Sequence, residues 1–244
     1  MRENKYDDPV FFEQYGKMPR SEKGLAAAGE WRQFRAMFPD LAGKRVLDLG
    51  CGYGWHCRYA AEMGAAHVLG TDISERMLAE AKRRTSFPNV QYRLAAIEDV
   101  ALPEASFDVV VSSLALHYVR SFPDVAVMVR RILAPGGHFV FSVEHPVFTA
   151  QGPQQWFCDA EGNRLHWPVD DYFREGGRQA AFLGETVTKY HRTLTTYVSG
   201  LLDAGFELTG LTEPTPSQEL LDAVPEMRDE LRRPMMLLAS ARCP

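Results

Sequence analysis

The sequence predicts an α/β fold, a mostly parallel sheet covered by helices on both faces. Strand-like and helix-like periods alternate with short connections between residues 45 and 144. Within them, Val46-Leu47-Asp48-Leu49-Gly50-Cys51-Gly52-Tyr53-Gly54 reads as a short buried strand breaking into a glycine-spaced turn. An acid, Asp72, closes the next strand-like run, Val68-Leu69-Gly70-Thr71, about twenty residues further on.

Taken in order, strands are expected over 45–49, 67–72, 90–94, 107–112 and 138–144, with helices over 54–63, 75–84 and 122–133. Upstream, Leu25, Ala28, Trp31, Phe34 and Phe38 recur at helical spacing before Pro39, so a helix is expected over 25–38. The segment from Phe11 to Ser21 holds aromatics and Arg20 but no clean period. At Pro146 the composition changes, and Trp156, Phe157, Trp167, Tyr172, Phe173 and Phe182 follow among glycines, prolines and charges. Phe157 to Leu165 reads as a hairpin turning near Gly162. This segment is too short and too poor in aliphatic residues for a core of its own, so it is read as an insertion capping the site. A helix over 193–204, a strand over 206–212 and a last strand over 235–241 resume the main fold.

A chain of 244 residues is long enough for one large domain or one domain with an insertion. Hydrophobic and charged fractions of 45% and 24% are those of an ordinary soluble protein. A formal net charge of −5 argues against nonspecific nucleic-acid binding, which needs a positive field. No apolar run approaches bilayer length and no signal peptide is visible, so a cytoplasmic protein is expected. Cys51, Cys57, Cys158 and Cys243 form no Cys-x-x-Cys pair and are read as reduced. Histidines and acids lack metal-ligand spacing, and no metal is expected.

The glycine turn and Asp72 together indicate a nucleoside-containing cofactor across the ends of the first two strands. A dinucleotide fingerprint wants glycines at its first, third and sixth positions, whereas Gly50, Gly52 and Gly54 fall at first, third and fifth. A carboxylate at Asp48 would repel a pyrophosphate at the following helix N-terminus. It would suit a cofactor carrying an ammonium group and a sulfonium, and S-adenosylmethionine has both.

Four motifs in order extend the pattern: Val46 to Gly54; Gly70-Thr71-Asp72-Ile73-Ser74; Phe107-Asp108-Val109-Val110-Val111-Ser112-Ser113; and Leu133-Ala134-Pro135-Gly136-Gly137-His138-Phe139-Val140-Phe141. On these the chain resembles the class I S-adenosylmethionine-dependent methyltransferases, in the small-molecule branch that includes ubiquinone and menaquinone methyltransferases. The resemblance covers residues 44 to 145 and implies a Rossmann-like, mostly parallel seven-stranded sheet whose final two strands pair antiparallel. It implies one domain over 1–244, with an N-terminal helical lid at 1–43, a cofactor core at 44–145, an inserted cap at 146–192 and a C-terminal helix and strands at 193–244.

Further roles follow from the resemblance. Asp48 is expected to orient the amino end of the cofactor and Asp72 to accept from both ribose hydroxyls, with Ser74 capping the next helix in its place. Ile73 and Met77 would lie against the adenine, although core packing explains Met77 nearly as well. Related sequences place an acid after the third strand, where this chain has Ala96; Glu98, Asp99 or the backbone at Ile97 would serve. Ser113 begins the loop that passes beside the methyl group. His117, in that loop, is a candidate base or a packed histidine. His145, beside Glu144, and His191 would converge over the methyl or tie the cap to the core. Tyr15 and Arg20 would close over the cofactor, or are a packed tyrosine and a surface arginine. Two rivals remain on sequence alone, a nicotinamide-dependent oxidoreductase and a noncatalytic protein that binds S-adenosylmethionine for regulation.

Overall fold

A computed structural model describes residues 4–244, so residues 1–3 of the expected lid lie outside the described residues. The N-terminal part holds three short helices: α1 (Pro9–Gly16), α2 (Pro19–Lys23) and α3 (Trp31–Arg35). Asp8 caps α1 by accepting from the amides of Val10 and Phe11, and Pro9 occupies the first turn, where no amide donor is needed. The continuous helix expected over 25–38 does not form. A 3-10 turn at Gly24–Ala27 ends at Ala28, whose backbone is extended, and α3 starts afresh after Glu30. Glu30 is 4% exposed and ion-paired with Arg20, so the break draws a carboxylate inward where a regular helix would point it elsewhere.

The main body follows with β1 (Arg45–Leu49), α4 (Trp55–Glu62), β2 (His67–Asp72), α5 (Glu75–Arg84) and β3 (Val90–Leu94). Then come β4 (Phe107–Ser113), α6 (Phe122–Ile132) and β5 (Leu133–Glu144). The next segment carries α7 (Pro146–Ala150), a hairpin of β6 (Phe157–Cys158) and β7 (Arg164–His166), and a longer hairpin of β8 (Gly176–Phe182) and β9 (Glu185–His191). It is followed by α8 (Leu194–Asp203), β10 (Glu207–Thr212), α9 (Gln218–Ala223) and β11 (Met236–Arg242). The strands assemble as one seven-stranded sheet, β10-β11-β5-β4-β1-β2-β3. Pairings from β3 through to β5 are parallel, and β11 runs antiparallel to both β5 and β10. This is the Rossmann-like class I methyltransferase fold.

Alternation along buried strands divides the core in two. Leu47, Leu49, Val110, Phe139 and Phe141 face α6 and α8, meeting Phe122, Val129 and Leu201. Val46, Val68, Val109, Val111 and Val140 face the other way, onto Phe34 of α3, Cys57 and Ala60 of α4 and Leu78 of α5. Local signals agree with this packing. In α5, Ser74 caps the N-terminus by accepting from the Met77 amide, Glu75 stands in the first turn and Lys82, Arg83 and Arg84 in the last, which complements the helix dipole.

β5 begins earlier than the expected residue 138, because Leu133 pairs with Phe107 and the Gly136 amide donates to the Cys243 carbonyl (2.8 Å). The expected hairpin at 157–165 forms and turns at Gly162, whose φ is 86°. The β8–β9 hairpin has no counterpart among the sequence expectations. Its residues carry a period of two in burial, with Val187, Lys189 and His191 inward.

Candidate functional site

The carboxyl ends of β1, β2, β4 and β5 open onto a cavity of about 1070 Å³. After β1 the chain turns back so that the amides of Gly50 and Cys51 both donate to the Thr71 carbonyl (2.8 and 2.9 Å). Gly50 has a φ of +74°, and a Cβ there would stand 2.5 Å from Ala115 Cβ, so only glycine lets the loop lie this close to the turn after β4. Asp72 reaches across from β2: Oδ2 accepts from the Gly52 amide (2.8 Å) and Oδ1 from the Ser74 amide (2.9 Å). Burial pushes its carboxyl up to about 6 against these hydrogen bonds.

Asp48 lies deeper, 1% exposed, and does not border the cavity. Its Oδ2 accepts from Cys57 Sγ (3.3 Å), and Oδ1 is buried without a partner among the described residues. Gly54 is also set back; it caps α4 in the left-handed conformation, with Tyr92 crowding the place of a Cβ. Gly50, Gly52, Asp72, Ile73 and Met77 border one end of the cavity, with Ile97, Glu98 and Ser113 beside them. Tyr15 and Arg20 border it from the N-terminal segment, Arg20 already engaged by Glu30.

Of the three histidines, His117 alone lines the cavity. It is 2% exposed, and burial lowers its pKa to about 4, so the ring is neutral near pH 7. Nδ1 accepts from the Glu144 amide (3.4 Å), which places the proton on Nε2. His145 instead caps α7: Nδ1 accepts from the Val147 amide (3.0 Å), and Nε2 lies 2.8 Å from Glu213 Oε1. His191 is tied at both nitrogens, to the Thr149 hydroxyl (2.8 Å) and the Tyr172 carbonyl (2.8 Å). The two do not converge with His117 on the cavity; His145 caps α7 beside Glu213, and His191 ties β9 to α7 and to Tyr172.

Several cavity residues escape a reading of the sequence. Tyr6 and Tyr118, both lining the cavity, put their hydroxyls 3.2 Å apart. Lys189 of β9 forms a buried pair with Glu144 at 2.5 Å. The alternation of β9 could have pointed to Lys189, and Asp8-Pro9 to an ordered start of α1 carrying Tyr6 just before it.

Residues 47–141 match the family model described as a methyltransferase domain. A protein of Listeria monocytogenes assigned to the S-adenosylmethionine-dependent methyltransferases has a solved structure 58% identical, covering 90% of this chain and 98% of that one with a TM-score of 0.85. The solved S-adenosylmethionine-dependent methyltransferase of Mesorhizobium loti is 46% identical, covers 90% of this chain and 100% of that one, and has a TM-score of 0.84. An uncharacterized protein of Haemophilus influenzae is 33% identical over 97% of this chain and 96% of its own length. The chain belongs to the S-adenosylmethionine-dependent methyltransferases.

The residues present fit that cofactor. A carboxylate at the end of β2, apolar side chains at Ile73, Met77 and Ile97, and a buried acid with an orphaned oxygen behind the glycine loop suit a nucleoside joined to a cationic group. Among the described residues no helix is long and apolar enough to cross a membrane.

Proposed function

We propose that this enzyme methylates a small molecule, with the N-terminal segment acting as a lid over the cofactor and residues 146–192 as a cap over the acceptor. The carrying observation is the cavity itself: at about 1070 Å³ it stands at the upper end for small-molecule sites, room for a cofactor and an acceptor side by side. Asp72 takes the ribose hydroxyls. Asp48 acts from behind the loop on the amino end of the methionine part, through the loop backbone or water. Ile73, Met77 and Ile97 receive the adenine, with Glu98 at its edge and Ser113 near the reacting end. Tyr15 closes the site from the lid, and Arg20 braces the lid through Glu30.

S-adenosylmethionine supplies an activated methyl group on a sulfonium. The protein's contribution is to hold the acceptor in line at near-contact distance and exclude water. His117, neutral and cavity-facing, offers an N–H from Nε2 to the acceptor; His145 and His191 hold the cap in place. The acidic balance of the chain favours a small acceptor over nucleic acid, and a cytoplasmic location suits its four free cysteines.

Calorimetric titration with S-adenosylmethionine and S-adenosylhomocysteine, on the parent and on Asp72→Ala, tests the site. Micromolar binding of both that is lost in the variant supports it. Equal binding by parent and variant would remove Asp72 from the ribose site.

A further inference from the structure

At the end of the cavity away from the glycine loop, two opposite charges are buried together. Glu144, the last residue of β5, and Lys189 of β9 meet at 2.5 Å with side chains only 15% and 4% exposed. Gln154 completes the group, its Nε2 donating to Glu144 Oε2 (2.7 Å) and its Oε1 accepting from Lys189 Nζ (3.1 Å). Both charges border the cavity, among walls of Tyr6, Tyr118, Phe182 and Met236.

A buried ion pair is expensive, and apolar residues of similar shape often replace one without loss of stability. Nor does the sheet need it, since β5 is paired on both sides, with β4 and β11. Its unused hydrogen-bonding capacity is informative. Among the described residues each carboxylate oxygen accepts one hydrogen bond and retains a lone pair, and the ammonium, with three donors, uses two. An acceptor site and a donor site therefore stand side by side. An alkylammonium would donate to Glu144 but be repelled by Lys189. A carboxylate would accept from Lys189 but be repelled by Glu144. A hydroxyl does both through one atom, and the surrounding rings and thioethers suit a flat or apolar body.

We propose that the methyl acceptor is an alcohol or phenol on an apolar body, its O–H donating to Glu144 and its oxygen accepting from Lys189. This rests on the methyl-transfer reading above. In the transfer, an oxygen lone pair forms the new C–O bond while the C–S bond pair returns to sulfur. The hydroxyl proton passes to Glu144, and the products are an ether and a neutral thioether. Lys189 steadies the oxygen as its proton leaves.

The test uses protein saturated with S-adenosylhomocysteine and three probes on one ring, para-cresol, 4-methylbenzylamine (an alkylammonium at neutral pH) and para-toluate, compared by saturation-transfer NMR and competition titration. Para-cresol should bind best. Its affinity should fall about tenfold or more in Lys189→Met, as expected for lost hydrogen bonds to a charged group, while S-adenosylhomocysteine binds as before. Because Lys189→Met leaves a lone buried carboxylate, the paired variant Glu144→Gln/Lys189→Met, which carries no charge there, should show the same loss. 4-Methylbenzylamine or para-toluate binding as well as para-cresol, para-cresol failing to bind, or an unchanged affinity in the paired variant would overturn the proposal. Loss of S-adenosylhomocysteine binding by the parent would instead overturn the underlying site, and this inference with it.

Discussion

Cys57 Sγ donates to Asp48 Oδ2 across 3.3 Å, and among the described residues that thiol is the sole partner of the Asp48 side chain. The acid is thus stored in an underbonded state beneath the glycine loop. Burial, partly offset by the thiol and reinforced by the nearby Asp72, raises its pKa from 3.8 to about 7. An acid raised on folding holds its proton more tightly in the folded state. Its presence therefore costs stability increasingly as pH climbs from 3.8 to about 7, after which the cost levels off. Without ligand, Asp48→Asn should match the parent near pH 4 and exceed it near pH 8. The gain should be a few kcal/mol at most, since each pH step between the two values is worth roughly 1.4 kcal/mol. The same variant should bind S-adenosylmethionine more weakly. Melting curves across pH and calorimetry check the pair of outcomes, and a parent as stable as the variant at high pH would contradict the first.

Gly54 should tolerate no side chain. Its φ is +72°, and a Cβ would fall 2.2 Å from the Tyr92 hydroxyl, which itself sits 2.7 Å from Thr85 Oγ1. Gly54→Ala should cost roughly 2 kcal/mol or more from backbone strain and collision together. Combining it with Tyr92→Phe removes the nearest atom, so denaturant melts should show partial recovery. A fully additive double variant would mean that backbone strain alone accounts for the loss.

Asp7 fastens the N-terminal segment to the cofactor half. Its Oδ1 accepts from the Ser74 hydroxyl (2.6 Å) and the Arg76 amide (3.1 Å), while Asn4 reaches the Ile73 carbonyl (3.4 Å). On the lid reading, Asp7→Ala should speed both proteolysis before α1 and release of S-adenosylhomocysteine, by about threefold to tenfold for hydrogen bonds of this kind. Stopped-flow release and timed digestion read the two separately. Unchanged release with faster digestion would show a tether that does not gate the cofactor.

His117 should not titrate near neutrality. Burial, together with the Lys189 and Arg192 charges and against the pull of Glu144, lowers it to about 4. NMR of the ring carbons should show a neutral imidazole protonated on Nε2 throughout the range from about pH 6 to 8. A titration centred near the ordinary histidine value would place water or an unpaired charge beside the ring.

Much of the cofactor half is legible in sequence because its signals are local. Val46 to Gly54, the Ser74 cap and the basic end of α5 each state their structure within a few residues, and β2, α5 and β3 occupy the expected spans. The N-terminal part is harder. The aromatic spacing of Trp31, Phe34 and Phe38 is real, but the Arg20–Glu30 pair found at the break in the helix joins residues well separated along the chain, outside any local period. His145 and His191 look alike as candidates in sequence. Their ring nitrogens instead face Val147, Glu213, Thr149 and Tyr172, and all but the first of these lie on distant stretches of chain that only the fold brings together. Lys189 escapes notice for the same reason, as an ordinary residue made unusual by the distant strand end it meets.

The placement of β11 bears on how the chain acquires its shape. It lies inside the sheet, between β5 and β10, although it is the latest strand along the sequence. While the polypeptide is being synthesised, β5 therefore waits with one edge bare until Met236–Arg242 emerge. That edge belongs to a strand carrying Phe139, Phe141 and Val143, the kind of surface on which nascent chains stick to one another. Assembly of the parallel portion can run ahead, but closure of the sheet waits for β11, and a ribosome stalled short of β11 would hold a sticky, half-finished sheet.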